Sequence, residues 1–159
     1  MNKARNIVNK CVEAFSVFLM VVMVLLVLWQ IIARYVLNSP SSFSEALTRY
    51  MFVWLVLVTA TYAFGTRDHM RIELLLNAIH GKARRWVNII IEVITIVFAL
   101  LIMTFGGSII TRMQMVQSDS SLHIPMGVIY AIVPICGVIT IFYCICNIRE
   151  ERMALKEGV

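Results

Sequence analysis

Ser42-Phe43-Ser44-Glu45-Ala46-Leu47-Thr48-Arg49-Tyr50-Met51-Phe52-Val53-Trp54 leads into an uncharged run that extends from Tyr50 to Thr66 and stops at Arg67. The run is about as long as a bilayer-crossing helix requires, and Glu45 and Arg49 sit at its edge. Four residues apart on a helix, they share a face and can meet as an ion pair. A lone charge at mid-membrane depth costs about 2.5–3.5 kcal/mol even on the lenient insertion scale, and pairing lowers that cost. Ser42 and Glu45 also fit the Ser-x-x-Glu capping box, in which Glu45 satisfies backbone donors at the helix start. The sequence leaves both roles open for Glu45, whereas Arg49 lies a full turn inside the helix, where capping does not explain it.

Outward from this stretch the chain is apolar almost throughout. Hydrophobic residues make up 60% of it and charged residues only 14%, with a mean hydropathy of +0.86; a soluble domain has a very different balance. Uncharged or nearly uncharged runs recur at Ala14 to Ala33, Val93 to Thr111 and Ile124 to Ile148. The expected fold is an all-α integral membrane protein: one four-helix membrane domain over residues 1–159, with spans at about 12–35, 43–65, 86–111 and 124–148. Almost nothing is left for a soluble domain.

The net charge of +5 is distributed by side. Lys3, Arg5 and Lys10 precede the first span, Arg67, Arg71, Lys82, Arg84 and Arg85 lie between the second and third, and Arg149, Arg152 and Lys156 follow the fourth. The other connections carry only Arg34, Arg112 and the edge residue Arg49. By the positive-inside rule both termini and the middle loop are cytoplasmic. Basicity here reports topology, and no nucleic-acid partner is expected. The apolar N-terminal run is too long for a cleaved signal and lacks a small-x-small site, so it reads as an uncleaved anchor.

Between the second and third spans, Ile72, Leu75, Leu76, Ile79 and Trp86 recur at helical spacing with polar residues on the other faces. This predicts an amphipathic helix at about 70–84 lying in the cytoplasmic interface of the lipid bilayer. His69 and His80 belong to this segment. In the third span Glu92 can reach back to the basic cluster or face another helix, and Gly106 and Gly107 permit close helix approach. Pro125 suits the first turn of the fourth span, and Pro134 inside it predicts a bend.

Cys11, Cys136, Cys144 and Cys146 form no CxxC pair, so packing rather than a disulfide framework is expected. There is no nucleotide-binding loop, metal-ligand cluster or nucleophile–base constellation. Membrane haem needs facing histidines at compatible depths, yet His69 and His80 fall on one side and His123 on the other. No enzyme activity and no cofactor are expected. Two readings from other classes stay open on these grounds: a membrane anchor subunit of a redox enzyme, and a self-contained homo-oligomeric small transporter or channel.

Ser44-Glu45-Ala46-Leu47-Thr48-Arg49-Tyr50-Met51-Phe52-Val53-Trp54, followed by His69 and an apolar-basic helix, resembles the small membrane subunit (DctQ-type) of TRAP, or tripartite ATP-independent periplasmic, transporters. Ile124-Pro125-Met126-Gly127 with Tyr130 and Pro134 is similar to that family's start of its last span. The family often carries two adjacent acidic residues where this chain has Glu45-Ala46, and often a glycine where Thr59 stands. The resemblance implies a bacterial inner-membrane, sodium-coupled secondary transporter built from three proteins. A periplasmic substrate-binding protein delivers an organic acid, such as a carboxylate or the sugar acid sialic acid. A large membrane subunit moves it by an elevator motion, and the small subunit is its tightly bound scaffold or stator. On that reading Glu45, Arg49, Trp54 and His69 are expected to fix the fold or contact the large subunit. Arg34, Arg112 and His123 are expected to offer a periplasmic docking surface.

Overall fold

The computed structural model describes residues 2–39, 41–66 and 82–156. His69, His80 and nearly all of the amphipathic helix expected at about 70–84 lie outside the described residues; Lys82 already belongs to the third span's helix. The described chain is helical, with no strand among the described residues. In order it forms α1 (Asn2–Tyr35), α2 (Ser42–Thr66), α3 (Lys82–Phe98), a π-helical segment (Ala99–Gly106), α4 (Gly107–Met113), α5 (Met126–Tyr130) and α6 (Ile132–Lys156). Among the described residues, four helices are long and apolar enough to cross a membrane: Arg5–Tyr35, Ser42–Gly65, Trp86–Met113 and Met126–Met153.

α1 passes to α2 through a tight turn. Asn38 takes the left-handed conformation (φ 49°), which asparagine tolerates better than most residues, and the Ser39 N–H returns to the Ala33 carbonyl at 3.1 Å. The cap of α2 falls on Ser41 rather than on a Ser42–Glu45 box. The Ser41 hydroxyl accepts from the Ser44 N–H at 3.4 Å, and the Ser44 hydroxyl donates to the Ser41 carbonyl at 3.0 Å. The two helices then run antiparallel, Ala33 and Ala46 being buried near their turn.

The fourth span is the centre of the assembly. About 39% of its apolar window is buried, against 11%, 11% and 6% for the first three. α6 packs against α2 on one side and against α3 and the π segment on the other, while α1 packs on α2. The sequence predicts a bend at Pro134, since proline lacks the N–H that would bond the carbonyl four residues back; the structure interrupts the helix at Ala131, three residues before it. Two glycines bring the third and fourth spans together. A Cβ at Gly127 would lie 2.5 Å from the Thr111 carbonyl oxygen, and one at Gly137 would lie 2.8 Å from both Met103 Cβ and Thr104 Oγ1. The wider π turn suits this contact, because the Thr104 hydroxyl donates to the carbonyl five residues back, Ala99, at 3.0 Å.

Most of the remaining apolar surface faces outward. Phe18, Leu25, Trp29, Phe52, Ile94 and Phe105 are each more than half exposed, as suits helices whose solvent is lipid or a membrane partner.

Candidate functional site

Polar side chains gather at the two ends of the bundle. At the end where α1 turns into α2, the Gln30 side-chain amide reaches across the hairpin and donates to the Ser44 carbonyl (2.8 Å) and the Thr48 hydroxyl (2.5 Å). Such bonds hold antiparallel helices in register where water is scarce. Glu45 and Arg49 do approach each other, at 3.6 Å, with their side chains 66% and 68% exposed. That distance is beyond good hydrogen-bond length, and so exposed a pair adds little to a fold. Trp54 turns elsewhere: its indole N–H donates to the Ile129 carbonyl in α5 at 2.9 Å and ties the second span to the fourth.

The connection between α4 and α5 is a compact loop at the same end. The Met126 N–H donates to the Gln117 carbonyl (2.8 Å) and the Asp119 N–H to the Ile124 carbonyl (3.0 Å). His123 is exposed and left-handed (φ 58°), its N–H donating to the Asp119 carbonyl. Asp119 is buried at the loop's centre. The Tyr50 hydroxyl donates to its Oδ2 at 2.6 Å, and the Ser121 N–H donates to Oδ1 at 2.8 Å. Hydrogen bonds to the charged form, Tyr50's first and the Ser121 amide's next, hold the Asp119 carboxyl below the usual carboxylate range.

Sequence reasoning does not single out this clamp. Its one signal is that Asp119 is the single acidic residue between Glu92 and Glu150. Because Asp119 binds its proton less readily in the folded loop than in the unfolded chain, the clamp is complete above the unfolded value near pH 4. It weakens as pH falls through the lower folded value. Tyr50→Phe is expected to speed amide exchange across residues 117–126 and to flatten the acid dependence of that exchange below about pH 4. Exchange that keeps its wild-type rate and pH profile would contradict the clamp.

At the end that holds both termini, three helices converge on Arg5. Its Nη1 donates to Glu150 Oε1 at 2.5 Å and its Nη2 to the Gly65 carbonyl at 2.8 Å. α1 is thus tied to the last turn of α2 and to α6. Along the other side of α6, Asn147 Nδ2 donates to Glu92 Oε1 at 3.0 Å and Asn88 Nδ2 to Glu151 Oε1 at 3.2 Å. Glu92 therefore faces the fourth span. No sequence pattern marks these contacts, since Arg5 and Glu150 stand 145 residues apart.

The structure gathers Glu45, Arg49, Tyr50 and the Asp119 loop at one end, with Trp54 a turn deeper and bonded within the chain. Arg34 and Arg112 are exposed at the ends of the first and third spans. Among the described residues, no three His, Cys, Asp or Glu side chains stand where they could hold a metal ion. The cysteines are free, with Cys136, Cys144 and Cys146 buried and Cys11 exposed. Several of the described polar side chains join one helix to another: Gln30, Trp54, Arg5, Asn88 and Asn147 each bond across helices, as suits a multi-pass membrane protein.

Comparison with known proteins supplies the family. The family described as tripartite ATP-independent periplasmic transporters, DctQ component, matches residues 23–153, and the chain belongs to it. A Haemophilus influenzae protein named as a TRAP transporter small permease is similar at 24% identity over 139 residues, covering 87% of this chain and 86% of that one. The sialic acid TRAP transporter small permease protein SiaQ of Vibrio cholerae is 28% identical over 143 residues, covering 87% and 79%. The sialic acid TRAP transporter permease protein SiaT of Haemophilus influenzae is 27% identical over 99 residues, 62% of this chain but 16% of that protein. The family is one of transporter components rather than of enzymes.

Proposed function

We propose that this chain is the stator of a three-part, sodium-coupled transporter of the bacterial inner membrane, bound tightly to a large elevator-type membrane subunit. The observation that carries the reading is the match to SiaT, in which a sequence like this one occupies 16% of a longer permease. A chain that recurs as a small part of a larger permease is one that works beside the rest of it. The fold supports the same reading: three of the four spans bury 11% or less of their apolar windows, leaving broad faces for a membrane partner. An elevator needs a part that stays fixed while another slides, and helices packed on the fixed part enlarge its hold on the bilayer. His69 and the basic amphipathic segment after α2 would resist tilting at the cytoplasmic face.

In this reading the termini and the Arg5 end are cytoplasmic, following the basic residues, and the Asp119 loop is periplasmic. Arg34, Arg112 and His123 then offer a docking surface to a periplasmic substrate-binding protein. The substrate is an organic acid, with sialic acid suggested by the names of two relatives. Substrate selection would rest with the other two components.

Arg49 gives the test. Since its exposed pair with Glu45 adds little within the chain, Arg49 acts through contact with the large subunit. Arg49→Ala is expected to leave the melting point of the isolated chain almost unchanged while lowering both recovery of the complex and organic-acid uptake. Normal recovery together with normal uptake would sink this role.

A further inference from the structure

Between the last turns of α1 and the first turns of α2 lies an open cleft of about 350 Å³. Its lining is graded. Val27 and Ile31 form an apolar wall on the face of α1 that also carries Arg34; Gln30 between them spends its amide on Ser44 and Thr48; and Tyr35, Ser41 and Glu45 complete the polar rim. At 1.5 Å rise per residue, Val27 lies about 10 Å deeper along the helix than Arg34. Arg34 makes no hydrogen bond or ion pair with any of the described residues, and the cation paired with Glu45 is Arg49, at 3.6 Å. The cleft therefore presents a cation and a carboxylate, both with unused bonding capacity, above an apolar trough at the edge of a membrane span.

We propose that this cleft is a seat for one aminophospholipid: the phosphate lies on the Arg34 guanidinium, the primary ammonium on the Glu45 carboxylate beside the Ser41 hydroxyl, and an acyl chain along Ile31 and Val27. Charge complementarity selects this occupant. An anionic headgroup would satisfy Arg34 and be repelled by Glu45. A choline headgroup carries the right charges but has no N–H to donate to the carboxylate. The polarity of the lining falls in the same direction as that of a phospholipid entering the leaflet. The inference requires only that the helices cross a bilayer; a lipid held on Arg34 leaves the docking surface to Arg112 and His123.

The test is native mass spectrometry of the full-length chain, purified both with and without its membrane partners, in the presence of phosphatidylethanolamine, phosphatidylcholine or phosphatidylglycerol with matched acyl chains. Phosphatidylethanolamine is expected to be retained about tenfold more strongly than phosphatidylcholine, the ratio that one additional charge-assisted bond supplies. Arg34→Gln is expected to lower retention of phosphatidylethanolamine and phosphatidylglycerol alike, Glu45→Gln to erase the preference between those two, and Arg112→Gln, away from the cleft, to leave the retention of all three lipids as in wild type. Equal retention of all three lipids, or no change in Arg34→Gln and Glu45→Gln, would overturn the proposal. So would displacement of the lipid by inorganic phosphate, which would make this a phosphate site. Loss of the lipid only when a membrane partner is bound would assign the cleft to protein and overturn it too.

Discussion

Replacing Gly137 with leucine is expected to unseat the fourth span from the third. A Cβ at this position would lie 2.8 Å from Met103 Cβ, 2.8 Å from Thr104 Oγ1 and 3.2 Å from the Thr104 backbone nitrogen. Met103 Cβ is bonded to the backbone of the π segment and Thr104 N is part of it, so neither can swing away; only the Thr104 hydroxyl could rotate, at the cost of its bond to the Ala99 carbonyl. Overpacking of this kind costs about 1–3 kcal/mol where neighbours can shift, and α6, buried between α2 and the third span, has little freedom to do so. The variant should melt well below wild type in detergent. Gly106→Ala provides the contrast: a Cβ there meets only the Leu101 carbonyl oxygen, at an ordinary 3.6 Å, so its stability should stay near wild type. Equal melting points for Gly137→Leu and wild type would show that the spans do not meet at this glycine.

The second large effect is expected at Arg5. Hydrogen bonds to charged groups contribute about 1.5–3 kcal/mol each, less where a partner is exposed, and the Glu150 side chain is 40% exposed. Arg5→Glu replaces an attraction to Glu150 with a repulsion and removes the donor that holds the Gly65 carbonyl. It should loosen the terminal end of the bundle, seen as a lower melting point and faster proteolysis near the termini. Adding Glu150→Arg should recover part of that loss through the reversed pair, but not the part due to Gly65. A double variant no more stable than Arg5→Glu alone would mean that the Arg5–Glu150 pair does not join these helices.

The membrane architecture was legible because burial in lipid leaves a coarse mark. Four apolar runs separated by charge identify four spanning helices without any knowledge of their packing, and Pro134 marks the last of them, whose helix is interrupted three residues earlier at Ala131. The ties between helices were not legible in the same way. Glu45 and Arg49 drew attention because charge at a span's edge is conspicuous, yet their pair is open and loose. The closer bonds come from Gln30, Tyr50 with Asp119, Trp54 with Ile129, and Arg5 with Glu150 and Gly65. Each depends on which faces of distant helices meet, and no local spacing encodes that. Arg5 in particular reads from sequence as a topology signal, whereas in the fold it turns back along the bundle and joins three helices. The cap of α2 shows the same limit at short range: Ser41 and Ser42 are chemically equal candidates, and only the path of the preceding turn places Ser41 at the N-cap.

The central claim is that this chain works as the fixed partner of a larger membrane subunit. Affinity purification of the tagged chain from native membranes, followed by reconstitution of what is recovered into liposomes, tests it most directly. The account predicts stoichiometric recovery of a large multispan protein and sodium-dependent organic-acid uptake by the pair in the presence of the periplasmic binding protein, with none by this chain alone. Transport by this chain in liposomes without a partner, or recovery with a haem-containing enzyme instead, would contradict it.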